Sequence, residues 1–174
     1  MPNLLPLPPQ RLIPAFLLAA CLAALGGALT FQYGLKLQPC ILCLYQRVPY
    51  ILAAALAAHA MAPWTPSRQA ALALGLAGLL FLANTGIAIF HTGVEQHWWE
   101  GTEACVGAKG AKTIEELRRQ VMEAPLVRCD QIPWEMFGIS MAGINALGSP
   151  FLALAAFIGA SKLRAQAGSS SVSQ

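Results

Sequence analysis

The chain has 174 residues, of which 56% are hydrophobic and 11% charged, against roughly a quarter charged in soluble domains. That balance excludes an ordinary water-soluble domain. The net charge of +3 carries no basic run, which excludes a nucleic-acid surface.

The charges divide the chain into four long uncharged runs, 12–35, 48–67, 69–94 and 136–161. Each is long enough to span a bilayer, which takes about 20 apolar residues. The expected fold is an all-α integral membrane four-helix bundle in one domain, 1–174, with helices near 13–33, 44–62, 70–90 and 142–161. Two outer loops, about 34–43 and 91–141, carry four of the five cysteines.

In chain order, Arg11 followed by an apolar stretch resembles a signal peptide, and Leu18-Ala19-Ala20-Cys21 resembles a lipoprotein cleavage site. Leu22 to Leu29 continues the apolar run where a lipoprotein needs a polar tether, so Cys21 is expected as a buried apolar residue of the first helix. In the first loop, Pro39 disfavours helix before Cys40. The second helix therefore starts at the cysteine pair and ends at the turn residues Pro63 to Pro66.

In the second loop, Thr113-Ile114-Glu115-Glu116 has the form of a capping box and predicts a short helix ending at Pro125. Ile114, Leu117 and Val121 share its apolar face, which fits either the membrane surface or packing on the loop itself. Trp98, Trp99 and Trp134 stand where an interfacial aromatic belt is expected. The segment Ala165 to Gln174, with its Gly and Ser run, is expected to be disordered.

All eight acidic residues lie between Glu95 and Glu135, but the Lys and Arg count on the two sides does not decide orientation. The cysteines do, because paired cysteines persist in oxidising compartments. Both termini are expected in the cytoplasm and both cysteine loops outside.

Cys40-Ile41-Leu42-Cys43 is a Cys-x-x-Cys, a spacing that favours reversible thiol exchange over a permanent staple. A thiolate at Cys43 would sit at the start of the second helix, where free amides and the helix dipole favour negative charge. Arg47 follows one turn later and offers a permanent cation on the same face, able to hydrogen-bond a quinone carbonyl or to snorkel to lipid headgroups. Cys105 and Cys129 lie 24 positions apart, and a bridge between them would close a loop worth about 3.5 kcal/mol by chain entropy. Taken alone, that pair is as consistent with a staple as with a redox centre. A four-thiolate zinc site is the structural alternative, although zinc sites commonly join two close-spaced motifs. His91, with Glu95 one turn beyond, is a candidate proton donor or hydrogen-bond partner for a quinone. His59 and His97 suggest no role.

Four spans, Gln38-Pro39-Cys40-Ile41-Leu42-Cys43-Leu44-Tyr45-Gln46-Arg47, then His91-Thr92-Gly93-Val94-Glu95, Ala104-Cys105 and Cys129-Asp130-Gln131-Ile132-Pro133-Trp134 together resemble the DsbB family of bacterial disulfide bond formation proteins, over about Leu12 to Lys162. The resemblance implies a quinone-linked thiol oxidoreductase of the bacterial inner membrane. It implies that a periplasmic thioredoxin-fold oxidase of the DsbA type attacks Cys105, and that the freed Cys129 attacks Cys40. Cys43 then passes electrons to ubiquinone or menaquinone beside Arg47, by a charge-transfer contact. Cys21 has no part in that scheme. The vitamin K epoxide reductase type, another quinone-linked bundle, is disfavoured because its active pair is expected late in the chain, the reverse of the order here.

Overall fold

A computed structural model describes residues 11–107, 112–123 and 127–172. Among these are four helices long and apolar enough to cross a membrane. They are α1, Leu12–Leu29, extended by a π-helical turn over Thr30–Gly34, α2, Ile41–Met61, and α3, Ser67–Glu95. The fourth is α6, Met141–Val172, preceded by the short loop helices α4, Glu103–Val106, and α5, Ile114–Glu123. The chain is thus the expected all-α bundle. A two-residue antiparallel pair, β1 (Glu135–Met136) and β2 (Ile139–Ser140), leads into α6. Its turn needs left-handed backbone at both Phe137 and Gly138, the geometry of a type I′ hairpin.

The interior is built from small residues. Ala53, Ala57, Ala71, Ala77, Ala153 and Ala156 are buried, with Leu17, Leu74 and Phe81 among the few large side chains between them. Leu22, Leu72, Leu76, Leu79, Phe151 and Leu154 point outward. In lipid, turning a leucine outward costs nothing, and close backbone approach supplies the packing. Gly78, where an added Cβ would meet the Phe157 ring, and Gly159, where it would meet Leu74 and Ile13, allow that approach between helices.

Among the helix boundaries that differ from expectation, three bear on the site or the tail. α2 begins at Ile41 rather than near 44, because Cys40 serves as its N-cap and its sulfur accepts the Cys43 N–H at 3.3 Å. α3 runs to Glu95 rather than 90, carrying His91 and Glu95 as buried helical residues. Its last turn is held by Thr92 Oγ1 on the Ala88 carbonyl and by the Trp99 indole, which folds back to donate to the Phe90 carbonyl at 2.9 Å. Trp99 crosses α3 at Gly93, where any Cβ would strike its ring. α6 continues to Val172, so the tail expected to be disordered is helical over 165–172. Ala165, Gln166 and Ala167 are good helix formers that propagate an existing helix. Residues 173–174 lie outside the described residues.

In α5 the expected cap is present: Glu116 N–H donates to Thr113 Oγ1 at 3.1 Å, and the Glu116 carboxylate accepts the Lys112 N–H at 2.8 Å. Ile114, Leu117 and Val121 stand exposed rather than packed on the loop. Pro125, the expected stop, lies outside the described residues.

Candidate active site

The Cys-x-x-Cys straddles the first turn of α2. Cys40 and Cys43 are free thiols with their sulfurs 3.0 Å apart. Cys40 Sγ also accepts the Cys43 amide, and that N–H favours negative charge on Cys40. The neighbouring Cys43 thiol and the facing His91, whose Nε2 lies 3.4 Å away, outweigh burial and hold Cys40 below the usual thiol range. At the helix start the Cys43 N–H points at the N-cap sulfur of Cys40.

Behind the sulfurs lies a buried polar file. Gln46 Nε2 meets His91 Nδ1 at 2.8 Å, and Asn145 Nδ2 donates to Gln46 Oε1. Asn145 Oδ1 in turn accepts from Tyr50, Asn84 and Ser149. Glu95 Oε1 stands 3.7 Å from His91 Nε2, and its other oxygen accepts the Ser140 hydroxyl, which also receives the Gly143 N–H at 3.0 Å. Glu95 thereby ties the end of α3 to the start of α6.

Cys43, Arg47 and His91 border a cavity of about 420 Å³. Its walls are mainly apolar, from Ala24 and Ala28 of α1, Phe31 of the π-helical turn, and Trp134, which packs on Phe31 at 4.9 Å between ring centres. Cys40 is not among the lining residues. Arg47 Nη1 donates to Gln32 Oε1 at 2.6 Å, so the π-helical turn positions the guanidinium at the cavity edge.

The second pair is joined, Cys105 to Cys129, with Cα atoms 5.0 Å apart. Cys105 sits in α4, and Cys129 N–H donates to its carbonyl at 3.1 Å. Arg128 binds both the Val106 carbonyl and Asp130, and holds the Asp130 carboxyl below its usual range. Gly101 lets the chain pass against Cys105, where a Cβ would crowd Val106, Val94 and Cys105 itself. Both bridged cysteines are 0% exposed and share one apolar cluster with Cys40, Leu42 and Val94.

All seven residues singled out in the sequence thus fall into one region, at the start of α2, the end of α3 and the loop that follows α3. The bridge takes up two of the four thiols that a zinc tetrathiolate needs. Among the described residues, the Cys40, Cys43 and His91 ligand atoms lie within 4.8 Å of one another. Sequence reasoning missed Gln46, Asn84, Asn145, Ser149 and Gln32. Trp134, expected in an interfacial belt, also walls the cavity. The available signal was polar side chains inside apolar spans, which are costly and therefore placed for a purpose.

A family model described as disulfide bond formation protein DsbB matches residues 10–159. Two proteins called disulfide bond formation protein B 2 are similar over 147 residues, covering 78% of this chain and 79% of each relative. They are 29% identical in Pseudomonas syringae pv. syringae and 31% identical in Pseudomonas savastanoi pv. phaseolicola. A disulfide bond formation protein B of Neisseria meningitidis is 33% identical over 96 residues, 53% of this chain and 57% of its own. No solved structure matches. The family match over most of the chain, on a bundle that gathers both cysteine pairs at one end, places this protein in the DsbB family as a multi-pass protein of the bacterial inner membrane and an oxidoreductase of disulfide bond formation.

Proposed function

We propose that the protein reoxidises a periplasmic thioredoxin-fold thiol oxidase of the DsbA type and passes the electrons to a membrane quinone, ubiquinone or menaquinone. The observation that carries this reading is the cavity. It opens onto Cys43, has apolar and aromatic walls that suit a flat ring, and carries the Arg47 guanidinium as a hydrogen-bond donor at its rim. A bound quinone supplies an acceptor for two electrons and two protons.

The chain's own residues supply the rest. A thiolate of the reduced partner attacks Cys105 Sγ, and Cys129 leaves as a thiolate. Cys129 attacks Cys40 of an oxidised Cys40–Cys43 pair, forming a bridge between the loops and releasing Cys43. The partner's second thiol displaces Cys105 and completes the partner's disulfide, and Cys105 attacks Cys129 to restore the loop bridge and free Cys40. Two electrons then rest on Cys40 and Cys43, the pattern of free thiols and loop bridge described above. Arg47 steadies negative charge at the cavity rim, and the apolar walls exclude water. Both cysteine loops face the periplasm and both termini the cytoplasm, the arrangement in which a loop disulfide persists.

The test is quinone reduction by purified protein in detergent, given a reduced thioredoxin-fold oxidase and ubiquinone or menaquinone analogues. Quinone-dependent oxidation of the partner, lost in Cys43→Ser, is expected. No turnover with either quinone, or turnover surviving in Cys43→Ser, would overturn the proposal.

A further inference from the structure

The polar file behind the cysteines has a direction. Asn145 Oδ1 receives the Tyr50 hydroxyl at 2.7 Å, the Ser149 hydroxyl at 2.8 Å and Asn84 Nδ2 at 3.1 Å. An oxygen accepts several donors, whereas an amide NH₂ accepts none. With its oxygen so engaged, Asn145 turns Nδ2 to Gln46 and donates to Oε1. Gln46 therefore presents its own NH₂ to His91 Nδ1, 2.8 Å away. That nitrogen must hold a lone pair, and the ring's one proton sits on Nε2, facing Cys40 Sγ at 3.4 Å and Glu95 at 3.7 Å.

Reversing every amide together gives a poorer arrangement. It would strand the Asn84 NH₂ in the interior, whereas the orphan in the observed sense is the carbonyl oxygen Oδ1. A buried oxygen tolerates the lack of a partner better than a buried N–H. Reversal would also turn a bare Nε2 lone pair onto a sulfur and a carboxylate. An imidazolium fits no better, because its Nδ1–H would face the Gln46 NH₂.

We infer that Asn145 and Gln46 are positioning residues that lock His91 as the neutral tautomer protonated on Nε2, aimed at the cysteine pair. The lock gives Cys40 a fixed N–H donor. It also puts a proton where a metal would need a lone pair, so the three-ligand cluster of Cys40, Cys43 and His91 is kept for thiol exchange. The site is the one used in the proposed quinone reaction, but the inference concerns where one proton sits and is tested without turnover.

The experiment is nitrogen NMR of the purified, reduced protein in detergent, with histidine labelled in heavy nitrogen and His91 assigned by loss of its signals in His91→Gln. The expected wild-type spectrum shows one form, bare at Nδ1 and protonated at Nε2. Gln46→Glu, whose carboxylate only accepts, is expected to move a proton to Nδ1. Asn145→Ala, which frees Gln46 to turn, is expected to give a mixture of tautomers. A wild-type ring protonated on Nδ1 or on both nitrogens would overturn the inference, as would a single unchanged tautomer in Asn145→Ala. If a variant does not fold, the wild-type spectrum decides alone. Missing quinone turnover would leave the tautomer assignment standing, and a wrong tautomer would leave the quinone proposal standing.

Discussion

The two cysteine pairs sit side by side in one apolar cluster, yet they are built in opposite ways. Cys40 and Cys43 stand on the first turn of a membrane-spanning helix, with an amide, an imidazole and a guanidinium held in place around them. Cys105 and Cys129 hang from a four-residue helix and a turn, joined to each other and sealed from solvent, with the Cys129 N–H on the Cys105 carbonyl and the Arg128 contacts to tie their segments. Fixed dipoles set the reactivity of the first pair. Access sets that of the second, because no partner thiol reaches a fully buried sulfur unless the loop shifts. In the route proposed above, electrons enter at a four-residue loop helix and leave from the first turn of a membrane-spanning helix.

The largest test separates the pairs by substitution. Cys105→Ser is expected to abolish oxidation of the partner, by about a thousandfold or more as for loss of a nucleophile, while quinone still oxidises a chemically reduced Cys40–Cys43 pair. Stopped-flow measurement of each half-reaction checks this. If Cys105→Ser kept partner oxidation, the division of labour would be wrong.

Next is acidity. Since Cys40 is held below the usual thiol range, its thiolate absorbance should persist at neutral pH and be lost only in acid. The sign follows from linkage. Because the folded value lies below that of an ordinary thiol, near 9.0, the thiolate stabilises the reduced fold fully above that ordinary value. The contribution then falls away as pH drops through the lowered value. His91→Ala is expected to move the loss of thiolate upward. A thiolate that titrates like a free cysteine would remove the electrostatic half of the comparison.

Arg47→Ala should act on one side only. Losing a charge-assisted donor at the cavity rim predicts a rise of about tenfold to a hundredfold in the quinone concentration needed for half-maximal rate, with thiol exchange between loop and partner unchanged. Steady-state kinetics with each substrate varied in turn would show it. Loss of thiol exchange with quinone affinity intact would reverse the assignment.

The smallest effect belongs to the loop. Thr113→Ala removes the N-cap of α5 and is expected to cost about 1 kcal/mol of local helix stability. It should appear as faster amide exchange over 114–123 with quinone reduction by the inner pair unaltered.

Much of this was legible in the sequence, for identifiable reasons. The spans follow from gaps between charges, and the cysteine spacing with Arg47 marks the site. What failed was the treatment of polar residues near helix ends. His91 and Glu95 read as the beginning of a loop, yet they are buried on the last turns of α3, because their partners come from α2 and from Ser140 ahead of α6. Gln46 stands beside Arg47, Asn84 beside Thr85 and Asn145 among apolar residues, and the packing of three helices brings them into one chain of donors and acceptors. No local pattern links residues separated by 61 to 99 positions.

The alanine-lined interior has a consequence for handling this protein outside lipid. Its large apolar side chains lie on the rim of each helix, while the seams between helices are small residues and the polar file, so what holds the helices together and what suits them to hydrocarbon are carried by different positions. Leu22, Leu72, Leu76, Leu79, Phe151 and Leu154 can be repainted with glutamate, lysine and glutamine without entering a seam. The architecture therefore lends itself to conversion into a detergent-free protein whose thiol chemistry stays intact.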